Sequence, residues 1–71
     1  MLATAVESST LITAAYDHDR QLLRLEFRNR ALYCYFGVPA SVYQELMAAD
    51  SKGAYFNRNI RRRFPYHRLA E

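Results

Sequence analysis

Two groups of residues hold most of this chain's chemical capacity. Arg58, Arg61, Arg62, Arg63 and Arg68 crowd the C-terminal segment together with Lys52, and guanidinium groups at this density favour phosphate and carboxylate partners. Tyr33 and Tyr35 stand two apart, a spacing that puts both rings on one face of a strand. Such rings either fill a core or stack on unpaired bases. The charge is uneven along the chain. Residues 1–50 carry four arginines against six carboxylates, a net −2, whereas residues 51–71 carry six cations against Glu71 alone, a net +5. A basic end on a near-neutral body is the pattern of an anion-binding surface, with nucleic acid its commonest partner. It is equally the pattern of a solvated face that keeps a small protein in solution.

Other reactive residues have simpler explanations. Asp17-His18-Asp19 offers metal-binding atoms, but three adjacent residues do not converge on one centre without further ligands, and the tripeptide suits a polar turn. His18 and His67 are far apart in sequence. Cys34, the single cysteine, has no partner for an intramolecular disulfide or a multi-cysteine zinc site, and in a strand it serves as a small hydrophobe. Ser51-Lys52-Gly53 is too short for a phosphate-binding loop; helix capping is expected to account for both the serine and the glycine. Asn57 is expected to bond locally. No acid–base pair or nucleophilic triad emerges, so neither catalysis nor a metal or other cofactor is expected.

Size points the same way. At 71 residues, 51% hydrophobic and 24% charged, the chain is one globular domain, too small to enclose a deep, dry, pre-organised active site. Met1-Leu2-Ala3-Thr4-Ala5-Val6 has no basic residue before it and meets Glu7 almost at once, unlike a secretory signal. No stretch approaches the ~20 apolar residues of a membrane span. A cytoplasmic location without membrane contact is therefore expected, with residues 1–8 as a flexible leader.

The elements that must position these residues follow from periodicity. Residues 9–16 are rich in β-branched types and predict a strand; Asp17 to Arg20 predict a turn. In residues 22–28, Leu23, Leu25 and Phe27 alternate with Arg24, Glu26 and Arg28, the clearest strand pattern in the chain. Residues 31–36 predict a third strand. After Gly37 the period becomes helical, with Pro39 in the first turn and Val42, Tyr43, Leu46 and Met47 along one stripe. Asp50 or Ser51 caps a second helix that runs to Pro65, with Phe56, Ile60 and Phe64 inward. Arg58, Arg61 and Arg62 then fall on its outward side, with Arg63 near the apolar edge. The expected architecture is α+β: a three-stranded antiparallel meander followed by two short helices packed on one sheet face, in the order β-β-β-α-α. The domain would span residues 9–66, with residues 67–71 as a tail.

The turn at Asn29-Arg30 decides the face of the tyrosines. A two-residue turn pairs Phe27 with Leu32 and exposes Tyr33 and Tyr35 beside Glu26 and Arg24, as a stacking platform. A three-residue turn with a bulge moves them among Leu25 and Phe27, into the core.

The run Leu23-x-Leu25-x-Phe27, the pair Tyr33-x-Tyr35, then Val38-Pro39-x-x-Val42-Tyr43 and Ser51-x-Gly53-x-Tyr55-Phe56-Asn57-x-x-Ile60-Arg61 together resemble the KTSC domain family. That family is named for the C-terminal extension of certain lysyl-tRNA synthetases and also occurs as small stand-alone bacterial proteins. The resemblance runs from about Ser8 to Tyr66. It places the family's Tyr-x-Tyr on Tyr33 and Tyr35 and its Ser-x-Gly on Ser51 and Gly53. Its members are uncharacterised, and attachment to a synthetase implies RNA or tRNA as a partner by association only. The family often has glycine where this chain has Arg30, in a turn suited to a left-handed residue, which favours the longer register; arginine incurs a steric cost in that conformation.

The expectation is a small non-catalytic module that binds RNA weakly through its basic C-terminal helix. Arg58, Arg61, Arg62, Arg63, Lys52 and Arg68 would meet phosphates, and Tyr33 and Tyr35 would meet bases if exposed. The alternative is an accessory module that docks on a larger protein such as a translation enzyme. A free strand edge would also permit homodimerisation.

Overall fold

The computed structural model describes residues 3–70, and it contains five strands where three were expected. Strands β1 (Thr4–Ala5), β2 (Leu11–Asp17), β3 (Leu22–Phe27) and β4 (Leu32–Tyr35) are followed by helices α1 (Ala40–Ala48) and α2 (Lys52–Asn59), then by β5 (Tyr66–Ala70). All four pairings are antiparallel, and sheet order equals chain order. The class is α+β, as expected.

Both added strands correct the sequence reading. Part of the expected leader is β1, which pairs Thr4 with Ala14 and Ala5 with Thr13. Ser8 makes the reversal: its Oγ accepts from the backbone N–H groups of Thr10 and Leu11 at 3.0 and 3.2 Å. Most of the expected tail is β5, begun where the Phe36 N–H donates to the Pro65 carbonyl at 2.9 Å. A two-residue strand and a five-residue strand rich in polar side chains are too short to show a hydrophobic period, and each forms because a neighbouring edge satisfies its backbone groups. Residues 1, 2 and 71 of the expected leader and tail lie outside the described residues.

Leu11, Ala14, Leu23, Leu25 and Tyr35 from the sheet form one buried cluster with Val38, with Leu46 of α1, and with Phe56 and Ile60 at the end of α2. The hydroxyl of Tyr16 donates to the Val38 carbonyl at 2.5 Å, and its ring stacks on Tyr43 of α1 with centroids 4.9 Å apart. Gly53 lets α2 approach the sheet, because a Cβ at this position would lie 2.5 Å from Thr10 Oγ1. Ser51 caps the same helix by accepting from the Ala54 N–H at 3.2 Å. Capping thus accounts for Ser51 as expected but not for Gly53, which the close approach of α2 to Thr10 requires.

The β3–β4 turn takes the longer form. Leu25 pairs with Tyr33 and Leu23 with Tyr35. Arg30 sits at φ 73° and so tolerates the left-handed conformation usual for glycine in a three-residue hairpin. The turn is held by three bonds: the Phe27 N–H donates to the Ala31 carbonyl and the Arg30 N–H to the Phe27 carbonyl, each at 2.9 Å, and Asn29 Oδ1 accepts from the Ala31 N–H at 3.0 Å. These bonds offset the cost of arginine in that conformation. Both tyrosines consequently face the helices.

Candidate functional site: a tyrosine groove rimmed by arginines

The helices cover the sheet incompletely near β4 and β5, and a groove of about 500 Å³ opens there. Its walls include Phe27, Tyr33, Tyr35, Phe56 and Tyr66; Asn29, Asn57, Arg61 and Arg62 bring polar groups, and among the described residues no carboxylate lines it. Strand alternation explains the floor. Tyr33 and Tyr35 of β4 share a face, and β5 sets Tyr66 opposite Tyr35 and Arg68 opposite Tyr33. The Tyr33 and Tyr66 rings stack with centroids 5.4 Å apart and planes 13° from parallel. Phe27 meets Tyr33 edge-on at 5.6 Å, as Phe56 meets Tyr35. The Arg68 guanidinium carbon lies 5.5 Å from the Tyr33 centroid, a cation–π contact. Exposure grades across the three tyrosines: Tyr35 is 2% exposed, Tyr33 half-buried and Tyr66 56% exposed.

The choice between core and platform is thus resolved differently for each ring. The outward platform of the shorter register does not form. Tyr35 belongs to the core, while Tyr33 and Tyr66 present aromatic surface to the groove from the helix side.

The arginines also depart from expectation. Helix α2 stops at Asn59, and residues 61–63 form a turn, so Arg61, Arg62 and Arg63 do not lie on an outward helical face. Ile60, fully buried, leaves helical geometry at φ −122° and ψ −48°. The N–H groups of both Ile60 and Arg61 donate to the Phe56 carbonyl at 3.0 Å. Pro65, which cannot continue a helix, lies just beyond. This turn swings Arg61 and Arg62 onto the groove. Arg63 Nε instead donates to the Arg58 carbonyl at 3.2 Å, satisfying an acceptor at the helix end. Arg58 is exposed on the last turn of α2. Lys52, at the opposite end of the helix, donates through Nζ to the Ala49 carbonyl at 3.1 Å. Of the eight residues expected to bind, the groove gathers Tyr33, Tyr35, Arg61 and Arg62, with Arg68 against Tyr33; Arg58, Arg63 and Lys52 are not among its lining residues.

Sequence reasoning missed Tyr66, Phe27, Phe56 and Asn29 as parts of a site, and assigned Asn57 a purely local role. A signal for Tyr66 did exist: it opens a five-residue stretch after a proline, long enough to be an edge strand. The remaining candidates have structural roles. Asp17 Oδ1 accepts from the backbone N–H groups of Asp19 and Arg20 at 3.1 and 3.3 Å, shaping the turn. Cys34 is buried on the other sheet face, paired with Arg24 and His67. Burial raises its thiol pKa, with Arg24 pulling the other way.

Burial, reinforced by the neighbouring Tyr33 and Tyr66, pushes the Tyr35 hydroxyl up to about 12, with Arg61 opposing. Tyr55 also reaches about 12, through burial first and then its hydrogen bond to Glu45 and the charge of that carboxylate; the bond measures 2.8 Å. Both folded values lie above the ~10 of an unfolded tyrosine. Below pH 10 both states are protonated and the contribution is fully present. As pH rises from 10 to 12 the unfolded chain loses protons first, so stability falls. Ultraviolet titration of the six tyrosines is expected to show at least two ionising near pH 12, one of them absent in Tyr35→Phe. Six tyrosines ionising together near pH 10 would contradict the burial of Tyr35.

The model of the KTSC domain matches residues 7–64, most of the chain. The chain belongs to the KTSC domain family. A crystal structure of a KTSC domain protein from Yersinia pestis superposes with a TM-score of 0.93 at 34% identity, covering 96% of each chain. An uncharacterised protein of Stutzerimonas stutzeri is 46% identical over 57 residues, covering 80% of each. A lysine–tRNA ligase of Nostoc sp. is 41% identical over 64 residues, which are 90% of this KTSC domain but 11% of that ligase. Among the described residues of this KTSC domain, no helix is long and apolar enough to cross a membrane.

Proposed function

We propose that this KTSC domain is a small, non-catalytic accessory module that binds RNA weakly through its arginine-rimmed groove. The observation that carries the reading is the groove's composition: stacked tyrosines beside Arg61 and Arg62, with no carboxylate among the described lining residues. Aromatic rings accept bases of any sequence and guanidinium groups accept phosphates, the two elements of single-strand binding sites. Arg68 extends the cationic rim along β5, and Arg58 and Arg63 place further charge at the adjoining helix end. The likeness to a segment of a lysine–tRNA ligase supports tRNA as one RNA to test.

Titration of single-stranded RNA and tRNA at low salt, followed by amide chemical shifts, is the test. Binding in the micromolar range is expected, with shifts at residues 33, 35, 61, 62 and 66. Three phosphate contacts on a single strand give a slope of about −2 in log K against log salt. Arg61→Glu with Arg62→Glu is expected to weaken binding about tenfold or more and to flatten that slope. No binding tighter than about millimolar would overturn the proposal.

The same likeness, 11% of a much larger protein, favours a second reading, an accessory module held on a protein partner. Capture that survives nuclease treatment and fails in the Arg61→Glu, Arg62→Glu variant would favour protein contact through the same rim.

A further inference from the structure

The RNA-binding reading leaves open what form of nucleic acid the groove accepts, and its shape narrows the choice. The space of about 500 Å³ falls within the ~300–1,000 Å³ of sites that hold one small organic molecule. It is concave and floored by aromatic rings; on the α2 side Phe56 packs edge-on against Phe27 and Tyr35, with centroids 5.1 and 5.6 Å apart, so a flat ligand is received over the outer tyrosine rings and not between sheet and helix. Tyr66, 56% exposed, offers ring surface from the edge strand, continuous with the Tyr33 ring stacked beside it. Asn29 and Asn57 supply amides that both donate and accept, the capacity needed to meet a base edge. Arg61 and Arg62 complete the lining with positive charge, and Arg68 adds to it beside Tyr33. The lining thus combines an accessible aromatic surface, mixed hydrogen-bonding groups and an anion rim.

We infer that the groove receives one unpaired nucleotide, its base on the Tyr33–Tyr66 surface and its phosphate toward Arg61 and Arg62. This inference rests on the RNA-binding reading and specifies it. A paired base lies between its neighbours in a duplex and shows no free ring face. Such a base enters only if it is extruded, at a cost in unstacking and unpairing. Bulged, looped and terminal nucleotides need no extrusion. The same charge complementarity argues against a cationic guest such as a quaternary ammonium, although stacked tyrosines alone would suit one.

The test uses the whole chain and three RNAs of equal phosphate number, each of about sixteen nucleotides: an unstructured single strand, a fully abasic strand, and a blunt hairpin whose stem of about eight base pairs is closed by a non-nucleotide linker. Affinities are measured at one low salt concentration. The single strand is expected to bind about tenfold more tightly than either of the others. Tyr66→Ala is expected to erase that preference by weakening the single strand most, and Tyr66→Phe is expected to keep it. Equal affinity for all three RNAs, unchanged in Tyr66→Ala, would overturn the single-nucleotide inference and leave charge-driven RNA binding standing. If none of the three binds, both fall.

Discussion

Replacing Tyr35 by alanine is expected to destabilise the domain by about 3–5 kcal/mol, the range for deleting a buried aromatic ring. Tyr35 is among the largest fully buried side chains, and its ring contacts Phe56, Tyr33 and Tyr66. Removing it would leave a cavity where β4 meets α2 and would also detach the floor of the groove. At roughly 0.05–0.15 kcal/mol per residue, a domain of this length has only about 4–10 kcal/mol to lose. Urea denaturation followed by circular dichroism is therefore expected to show Tyr35→Ala with little or no folded baseline. Tyr35→Phe keeps the ring and is expected to stay within about 1 kcal/mol of the parent. Similar losses in both variants would mean that the hydroxyl, not the ring, carries the stability.

The second large effect is expected at Gly53, where a single methyl group is the perturbation. Alanine is the better helix former by about 1 kcal/mol, so an isolated helix would gain. In the fold, the added Cβ would meet Thr10 Oγ1 at 2.5 Å and Thr10 Cβ at 3.1 Å. Thr10 is β-branched and stiff about χ1, so its side chain cannot swing aside freely. Overpacking of this kind costs about 1–3 kcal/mol, and Gly53→Ala is expected to lower the thermal midpoint by several degrees. In a Thr10→Ala background the Oγ1 contact is gone while the Cβ contact at 3.1 Å remains, so Gly53→Ala is expected to cost clearly less than in the parent. Additive effects of the two substitutions would show that the helix does not press on Thr10.

The fold was legible where hydrophobic period and length were both sufficient. The alternation of Leu23, Leu25 and Phe27 identified β3 because those side chains enter the core while Arg24 and Glu26 do not. The stripe of Val42, Leu46 and Met47 identified α1 in the same way. Helix α2 was placed correctly at its start, since Ser51 announces its cap, but overextended at its end. Phe56, Ile60 and Phe64 continue a helical spacing even though Ile60 occupies a C-cap and Phe64 lies beyond the turn. A side chain can enter a core from a turn as well as from a helix, and periodicity does not distinguish the two. That error is what hid the groove, because Arg61 and Arg62 face it only when the helix ends early. The site's aromatic half was legible as the spacing of Tyr33 and Tyr35. Its third tyrosine carried only the weak signal of a five-residue stretch after Pro65, because pairing partners, not a hydrophobic period, make residues 66–70 a strand.

The position of β5 after both helices has a kinetic consequence. Strands β2, β3 and β4 are joined by short turns and form pairs of small sequence separation, whereas pairing Tyr35 with Tyr66 encloses residues 36–65. The entropy of closing that loop must be met before β4–β5 contacts offer any return. The central meander is accordingly the early-folding unit, and β5 docks once α1 and α2 have condensed. The order reverses under native conditions: an edge strand with exposed side chains is among the first segments to open. The wall bearing Tyr66 and Arg68 is therefore expected to open while Leu23, Leu25 and Leu46 stay packed, which would tie access to the aromatic floor to the fluctuation of a single strand.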